Sequence, residues 1–166
     1  DDWKSGHYTI ASFDPVVFEG DDVIPVVIIC CGMGGIDEGI RRFNELNHSE
    51  RFGDKLLLPA VAIDMDADSC HAHRLNHSGT PVANFTCKSW RPTMTFMEQY
   101  LPKTFWHNWV HTSNSCKESS HTNFTRRDIY VGKEQTTWFI RLMQRMRPGV
   151  WTLENIPALY KYFAGQ

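Results

Sequence analysis

Three segments carry residues whose types and spacing could do chemistry. Residues 26–36, Val-Val-Ile-Ile-Cys-Cys-Gly-Met-Gly-Gly-Ile, read as a buried strand that breaks into a glycine turn and then opens a helix. Residues 62–66, Ala-Ile-Asp-Met-Asp, read as a strand ending in carboxylates, and residues 153–157 as a strand ending in Glu154-Asn155. The turn Gly32-Met33-Gly34-Gly35 lets the backbone approach a ligand closely and presents a helix N-terminus to it. Asp64, at the end of the next strand, suits the ribose hydroxyls of an adenosine-type cofactor. Helix capping competes for these acids: Asp66 fits a cap and a ribose contact equally, whereas Asp64 favours ribose. Between the second and third segments Cys116 sits in a polar, serine-rich loop. Its thiolate would be a nucleophile, although on local sequence alone an ordinary loop cysteine is the simpler reading.

The elements that must position these residues follow from hydrophobic periodicity. Residues 25–31 form a continuous β-branched run, expected of a central parallel strand buried on both faces. Ile36, Ile40, Phe43 and Leu46 recur at helical spacing behind the glycines. A second strand is expected over 56–63, and a helix over 66–76 with acids in its first turn and Arg74 near its end. A short strand follows at 81–85, a helix at 93–101 ended by Pro102, and an aromatic-rich strand at 105–111. Residues 113–128 lack periodicity and read as a long loop, a length that usually signals function or mobility. A helix over 137–146, broken by Pro148-Gly149, leads to a fifth strand at 150–153. This alternation predicts an α/β, doubly wound fold with a parallel sheet and right-handed crossovers.

Length and composition set outer bounds. At 166 residues the chain supports one domain, divided as an N-terminal extension (1–24) and a main domain (25–166). A net charge of -2 gives no global nucleic-acid signature. Any such contact needs a local patch, for which Arg126-Arg127 and Arg141, Arg145 and Arg147 are candidates, the alternative being a solvated helix face and loop. Five cysteines without a CxxC pair argue against a disulfide framework and a zinc site. His71 and His73, two apart on a helix, point to different faces and make a weak metal reading. No apolar run reaches membrane-span length and no signal-peptide pattern opens the chain, so an intracellular, reducing setting is expected; four Asn-x-Ser/Thr sequons are the counter-signal. A start at Asp1 is expected of a processed or excerpted chain. Trp106, Trp109, Trp138 and Trp151 are expected in core packing rather than in a base-stacking platform.

These motifs resemble the DNA cytosine-5 methyltransferases. Cys30-Cys31-Gly32-Met33-Gly34-Gly35 looks like the family's Phe-x-Gly-x-Gly-Gly turn, and residues 62–77 look like its second strand and helix, down to the terminal Asn76-His77. Asn84 falls where the family places an acid that reads the adenine amino group. Residues 147–159, Arg-Pro-Gly-Val-Trp-Thr-Leu-Glu-Asn-Ile-Pro-Ala-Leu, resemble its Arg-Pro…Glu-Asn-Val-Pro-x-Leu segment. The resemblance runs from about residue 26 to 160, and it implies a Rossmann-like methyltransferase fold with five parallel strands ordered 3-2-1-4-5 and helices on both faces. It implies S-adenosylmethionine as cofactor, held by Cys30, Gly32, Met33, Gly34, Gly35, Asp64, Met65 and Asn84. It implies DNA as the partner, with RNA an alternative substrate, and a nucleus or other DNA-containing compartment or particle. Cys116 would be the thiolate that adds to cytosine C6, Glu154 the acid near N3, and Asn155 a residue positioning loop or base. The base would be flipped out of its duplex.

The sequence also departs from that family. Ser115 stands for the proline before the cysteine, Lys117 for the following glutamine, and Ser119 for a nearby phenylalanine. Cys30 replaces the cofactor-stacking phenylalanine and Asn84 replaces an acid. The family's arginine-rich motif, target-recognition region and sheet-completing segment have no counterpart in these residues. The rival expectation is therefore a catalytically inactive methyltransferase fold serving as a structural component of a larger assembly, with a partner protein covering the incomplete sheet edge.

Overall fold

The computed structural model describes residues 23–46, 56–86, 90–101, 108–113 and 129–154. Nine elements alternate along them: β1 (Val23–Ile29), α1 (Gly35–Leu46), β2 (Leu56–Asp64), α2 (Ala67–Asn76), β3 (Val82–Asn84), α3 (Trp90–Tyr100), β4 (Trp109–Ser113), α4 (Ile129–Met146) and β5 (Val150–Glu154). The strands form one sheet in the order β3-β2-β1-β4-β5, every pairing parallel, as the sequence predicts. Central β1 alternates its side chains between two cores. Val26 and Ile28 face α1 and α2, packing with Ile40, Ala62, Cys70 and Val82. Val27 and Ile29 face α3 and α4, packing with Phe96, Met97, Phe139, Leu142 and Met146. Two helices cover each face because β1 to β3 winds one way across the sheet and β4 to β5 the other.

Prolines mark the irregularities. Pro25 lies in the central strand, but pairing of β1 with β4 starts only at Val26, so the missing N–H costs no ladder bond on that side. In β2 the register slips by one residue between Val26↔Pro59 and Val27↔Val61, a bulge that skips Ala60 next to the proline that cannot donate. Pro92 falls in the first turn of α3, where its N–H would have no helical partner, so the helix begins at Trp90 rather than at 93.

Two further elements differ from expectation. β4 spans Trp109–Ser113, later than the aromatic run suggested, because pairing with Val26–Ile29 fixes its register; residues 102–107 lie outside the description. α4 has 18 residues and starts at Ile129, well before 137. Gly132 and the Thr136-Thr137 pair are poor helix formers that conceal its first half, while tertiary packing of Phe139, Leu142 and Met146 anchors the second.

Phe139 is fully buried between α4 and the sheet. Phe139→Ala is expected to cost about 3–5 kcal/mol in urea unfolding. Leu75→Ala, at a side chain 72 % exposed, is expected to stay within about 0.5 kcal/mol of the parent.

Candidate functional site

In an all-parallel sheet the strand carboxyl ends share one edge, and the glycine turn leaves β1 at that edge. Cys30 (φ 58°), Gly32 (φ 54°) and Gly34 (φ 95°) reverse the chain through left-handed conformations. For Cys30 that conformation costs about 1–2 kcal/mol, which the surrounding bonds must offset. Cys31 N–H donates to Ile63 O (3.2 Å), and Gly34 N–H donates to Cys31 O (3.1 Å). Asn76, at the end of α2, donates its side-chain amide to Met33 O (3.0 Å). Gly34 has no side chain because none fits: a Cβ there would lie 2.1 Å from the His77 ring. A Cβ on Gly32 would meet nothing within 4 Å, so the turn borders open space.

Asp64, only 8 % exposed, ties the turn to the next strand. One carboxylate oxygen accepts from Gly32 N–H (2.9 Å) and the other from Asp66 N–H (2.9 Å). Each oxygen retains a second lone pair. Asp66 is a helix cap, accepting from Ser69 N–H (3.1 Å) and Ser69 Oγ (2.7 Å). Asn84 donates to Asp64 O (3.1 Å), joined by Phe85 N–H (3.0 Å). The Asn84 amide nitrogen is the donor in that bond, which leaves the amide oxygen as an acceptor. Met65 takes a contact from across the sheet, with Gln135 Nε2 3.1 Å from its sulfur. The structure thus gathers Cys30, Gly32, Met33, Gly34, Gly35, Asp64, Met65 and Asn84 around the ends of β1, β2 and β3.

Behind the turn lies a polar pair that sequence reasoning missed. Nε2 of fully buried His73 donates to Asp37 Oδ2 (3.0 Å), and Thr80 Oγ1 donates to Asp37 Oδ1 (3.3 Å). These bonds lock α1 to α2, and the His77 ring packs at 5.2 Å from His73. The spacing Asp37…His73 carries no local signal; only the crossover of the two helices unites it. Gln135 was equally invisible, since the first half of α4 was unread.

Two thiols here are unsuited to nucleophilic work. Burial, helped by the Asp64 charge, pushes Cys70 up to about 11, and burial beside Asp64 pushes Cys31 higher still. Both remain protonated near neutral pH.

At the far side of the same edge, Ser113 Oγ donates to Glu154 Oε2 (2.5 Å), joining the ends of β4 and β5. The Thr152 hydroxyl accepts from Trp109 Nε1 (2.8 Å) and sits 2.9 Å from His111 Nδ1. Burial holds His111 below the usual histidine range, against the opposing pull of Glu154. Cys116, Asn155 and Arg126-Arg127 lie outside the described residues. His71 and His73 share no metal site; among the described residues no cluster of three metal-ligating side chains occurs.

Strand order and glycine turn together define a doubly wound α/β fold. No protein-family model matches the sequence, and no curated protein does. Solved structures do match. A protein described as a DNA modification methyltransferase encoded within an E. coli prophage superposes with TM-score 0.60 at 16 % identity, over 86 % of this chain and 35 % of its own. The S. pombe Dnmt2 methyltransferase gives TM-score 0.51 at 13 % identity over 84 % of this chain, and a triple mutant of Spodoptera frugiperda DNMT2 gives 0.50 at 13 % over 83 %. This chain spans 36 % and 37 % of those two. At such identities the likeness establishes the fold, which is the one the sequence resemblance implied.

Gly34→Ala must adopt φ +95° and displace a ring, so it is expected to cost about 2–4 kcal/mol in urea unfolding. Adding His77→Ala should recover the steric part and leave the backbone part. In native protein at pH 8, alkylation of Cys70 by iodoacetamide, followed by mass spectrometry, should run roughly 100-fold or more slower than in urea, because a thiol near 11 supplies little thiolate. Cys31 should be slower still.

Proposed function

We propose that the chain from β1 to residue 166 forms the cofactor-binding and base-activating part of a nucleic-acid cytosine-5 methyltransferase; the extension expected over 1–24 is shorter, since Val23 and Ile24 already pair with β2. The observation that carries this reading is Asp64. It is a nearly buried carboxylate held between the Gly32 and Asp66 amides, beside a glycine turn open to solvent, at the strand edge of a methyltransferase fold.

The residues fit S-adenosylmethionine. The space bordering Gly32 takes the body of the ligand, Asp64 the ribose hydroxyls, Met65 an adenine face, and the Asn84 amide oxygen the adenine amino group. When bound, this cofactor supplies an electrophilic methyl sulfonium. The chain's own work is on the base. Cys116 follows Ser113 by three residues, a reach of at most about 11 Å, and Ser113 touches Glu154. On this reading Cys116 is the nucleophile at cytosine C6 and Glu154 the acid near N3. Addition of Cys116 at C6 shifts electron density to C5, and later loss of the C5 proton releases the thiol. Asn155, bonded to Glu154, positions the base. The substrate is DNA, with RNA as the alternative, and the setting is an intracellular, nucleic-acid-containing compartment. Among the described residues no helix is long and apolar enough to cross a membrane.

A second reading, an inactive fold retained as a component of an assembly, is favoured by β5. All of its residues are exposed, with Val150 at 56 % and Trp151 at 50 %, a surface suited to a covering partner.

Calorimetric titration with S-adenosylmethionine should give micromolar affinity, weakened at least tenfold, about 1.4 kcal/mol, in Asp64→Asn. Cys116→Ser should retain cofactor affinity and lose methyl transfer to cytosine in oligonucleotides. A well-folded chain that binds no cofactor would overturn the enzyme reading in favour of the second.

A further inference from the structure

The opposite edge of the sheet carries a second feature. α4 returns the chain from the carboxyl end of β4 to the amino end of β5, and Val150 N–H meets Asn108 O just before β4. Arg147 therefore lies at the amino edge, below Val150, while Glu154 ends β5 about 13 Å further on at 3.3 Å per residue. Near this edge Trp90, Arg141, Gln144, Arg145 and Arg147 line a cavity of about 560 Å³. Arg145 stacks over the Trp90 ring at 4.1 Å from its centroid. A neighbouring cavity of about 280 Å³ shares Gln144 and Arg147 and is walled by half-exposed Trp151.

Three exposed guanidiniums thus converge in a chain of net charge -2. Among the described residues none of the three is paired with a carboxylate, whereas Arg41 and Arg42 on α1 both bind Glu38. Arg147 adds an independent sign. It sits at φ 51°, just past the end of α4, with its N–H on Met143 O (2.8 Å). That is a position where glycine is strongly preferred. An arginine kept there against its backbone preference points to a role for its side chain.

We propose that this groove is a binding site for single-stranded nucleic acid, with the phosphates on Arg141, Arg145 and Arg147 and a base stacked on Trp151. A cationic track beside an aromatic shelf is the arrangement that takes such strands without reading their sequence. The groove lies away from the Asp64 edge, so it is an additional contact and does not rest on methyl transfer.

The test uses a fluorescent 20-nucleotide deoxythymidine strand, its duplex with deoxyadenosine, and inorganic triphosphate as competitor, by anisotropy across a salt series. The strand should bind more tightly than the duplex. Arg141→Gln/Arg145→Gln/Arg147→Gln should flatten the salt slope by about 2, and the triple lysine variant should preserve it. Trp151→Ala should weaken strand binding about tenfold and leave duplex binding unchanged. Arg147→Gly should raise the thermal midpoint while lowering affinity, a pairing that a purely structural arginine would not show. Absence of strand binding, an unchanged slope in the glutamine variant, tighter binding of duplex, or complete displacement by equimolar triphosphate would each overturn the proposal.

Discussion

The bond between Asp64 and the Gly32 amide is the constraint on which the carboxyl edge of the sheet depends. β1 must end in a reversal tight enough to expose backbone amides, and the reversal passes through three left-handed residues, one of them Cys30. Such a segment has little stability of its own. Asp64 supplies a charge-assisted acceptor at 2.9 Å from beneath, and its other oxygen orders the entry to α2. Asn76 then returns from the far end of α2 to hold the Met33 carbonyl. One residue therefore sets the turn and the helix after β2 through its carboxylate and, through its backbone carbonyl, the end of β3 at Asn84 and Phe85. A ligand contacting Asp64 would meet a group already oriented, so little ordering would remain to oppose binding.

Much of this was legible in the sequence because it is local. The β-branched run of β1, the glycine turn, the acids after β2 and the Asp66 cap depend on neighbours within a few residues, and their positions were read to within two or three residues. Alternation predicted a parallel sheet, while the strand order came from the family resemblance. What could not be read is what crosses the fold. Asp37 and His73 are 36 positions apart, Gln135 and Met65 are 70, and no spacing rule joins them. The start of α4 was lost for the opposite reason: its local propensity is poor, and it is helical because its later turns are packed on β1 and β4. Trp151 was expected in the core and is half exposed, since an edge strand offers one side of its surface to nothing among the described residues.

The parallel sheet explains why the candidate residues fall into two groups. Every strand delivers its last residue to the same edge, so Asp64, Asn84, Ser113 and Glu154 share it although they come from four strands. Their separation along that edge is set by strand order: β2 and β3 lie on one side of β1, β4 and β5 on the other. A cofactor over β1 and β2 and a base over β4 and β5 would thus meet above β1 and β4. Such a division of labour would follow from topology before any side chain is considered.

Two cysteines show how burial under the turn decides thiol chemistry. Cys31 and Cys70 lie within the α1–α2 core, packed under the turn, where burial and the Asp64 carboxylate both disfavour a thiolate. A nucleophile needs the reverse environment, solvent access and nearby positive charge. Residues 114–128 contain Cys116 with Lys117 next to it and Arg126-Arg127 ten residues on, so the sequence itself supplies the cations that the core lacks. A reactive thiol after β4, as proposed for Cys116, would keep anion-forming chemistry away from the Asp64 carboxylate that holds the turn.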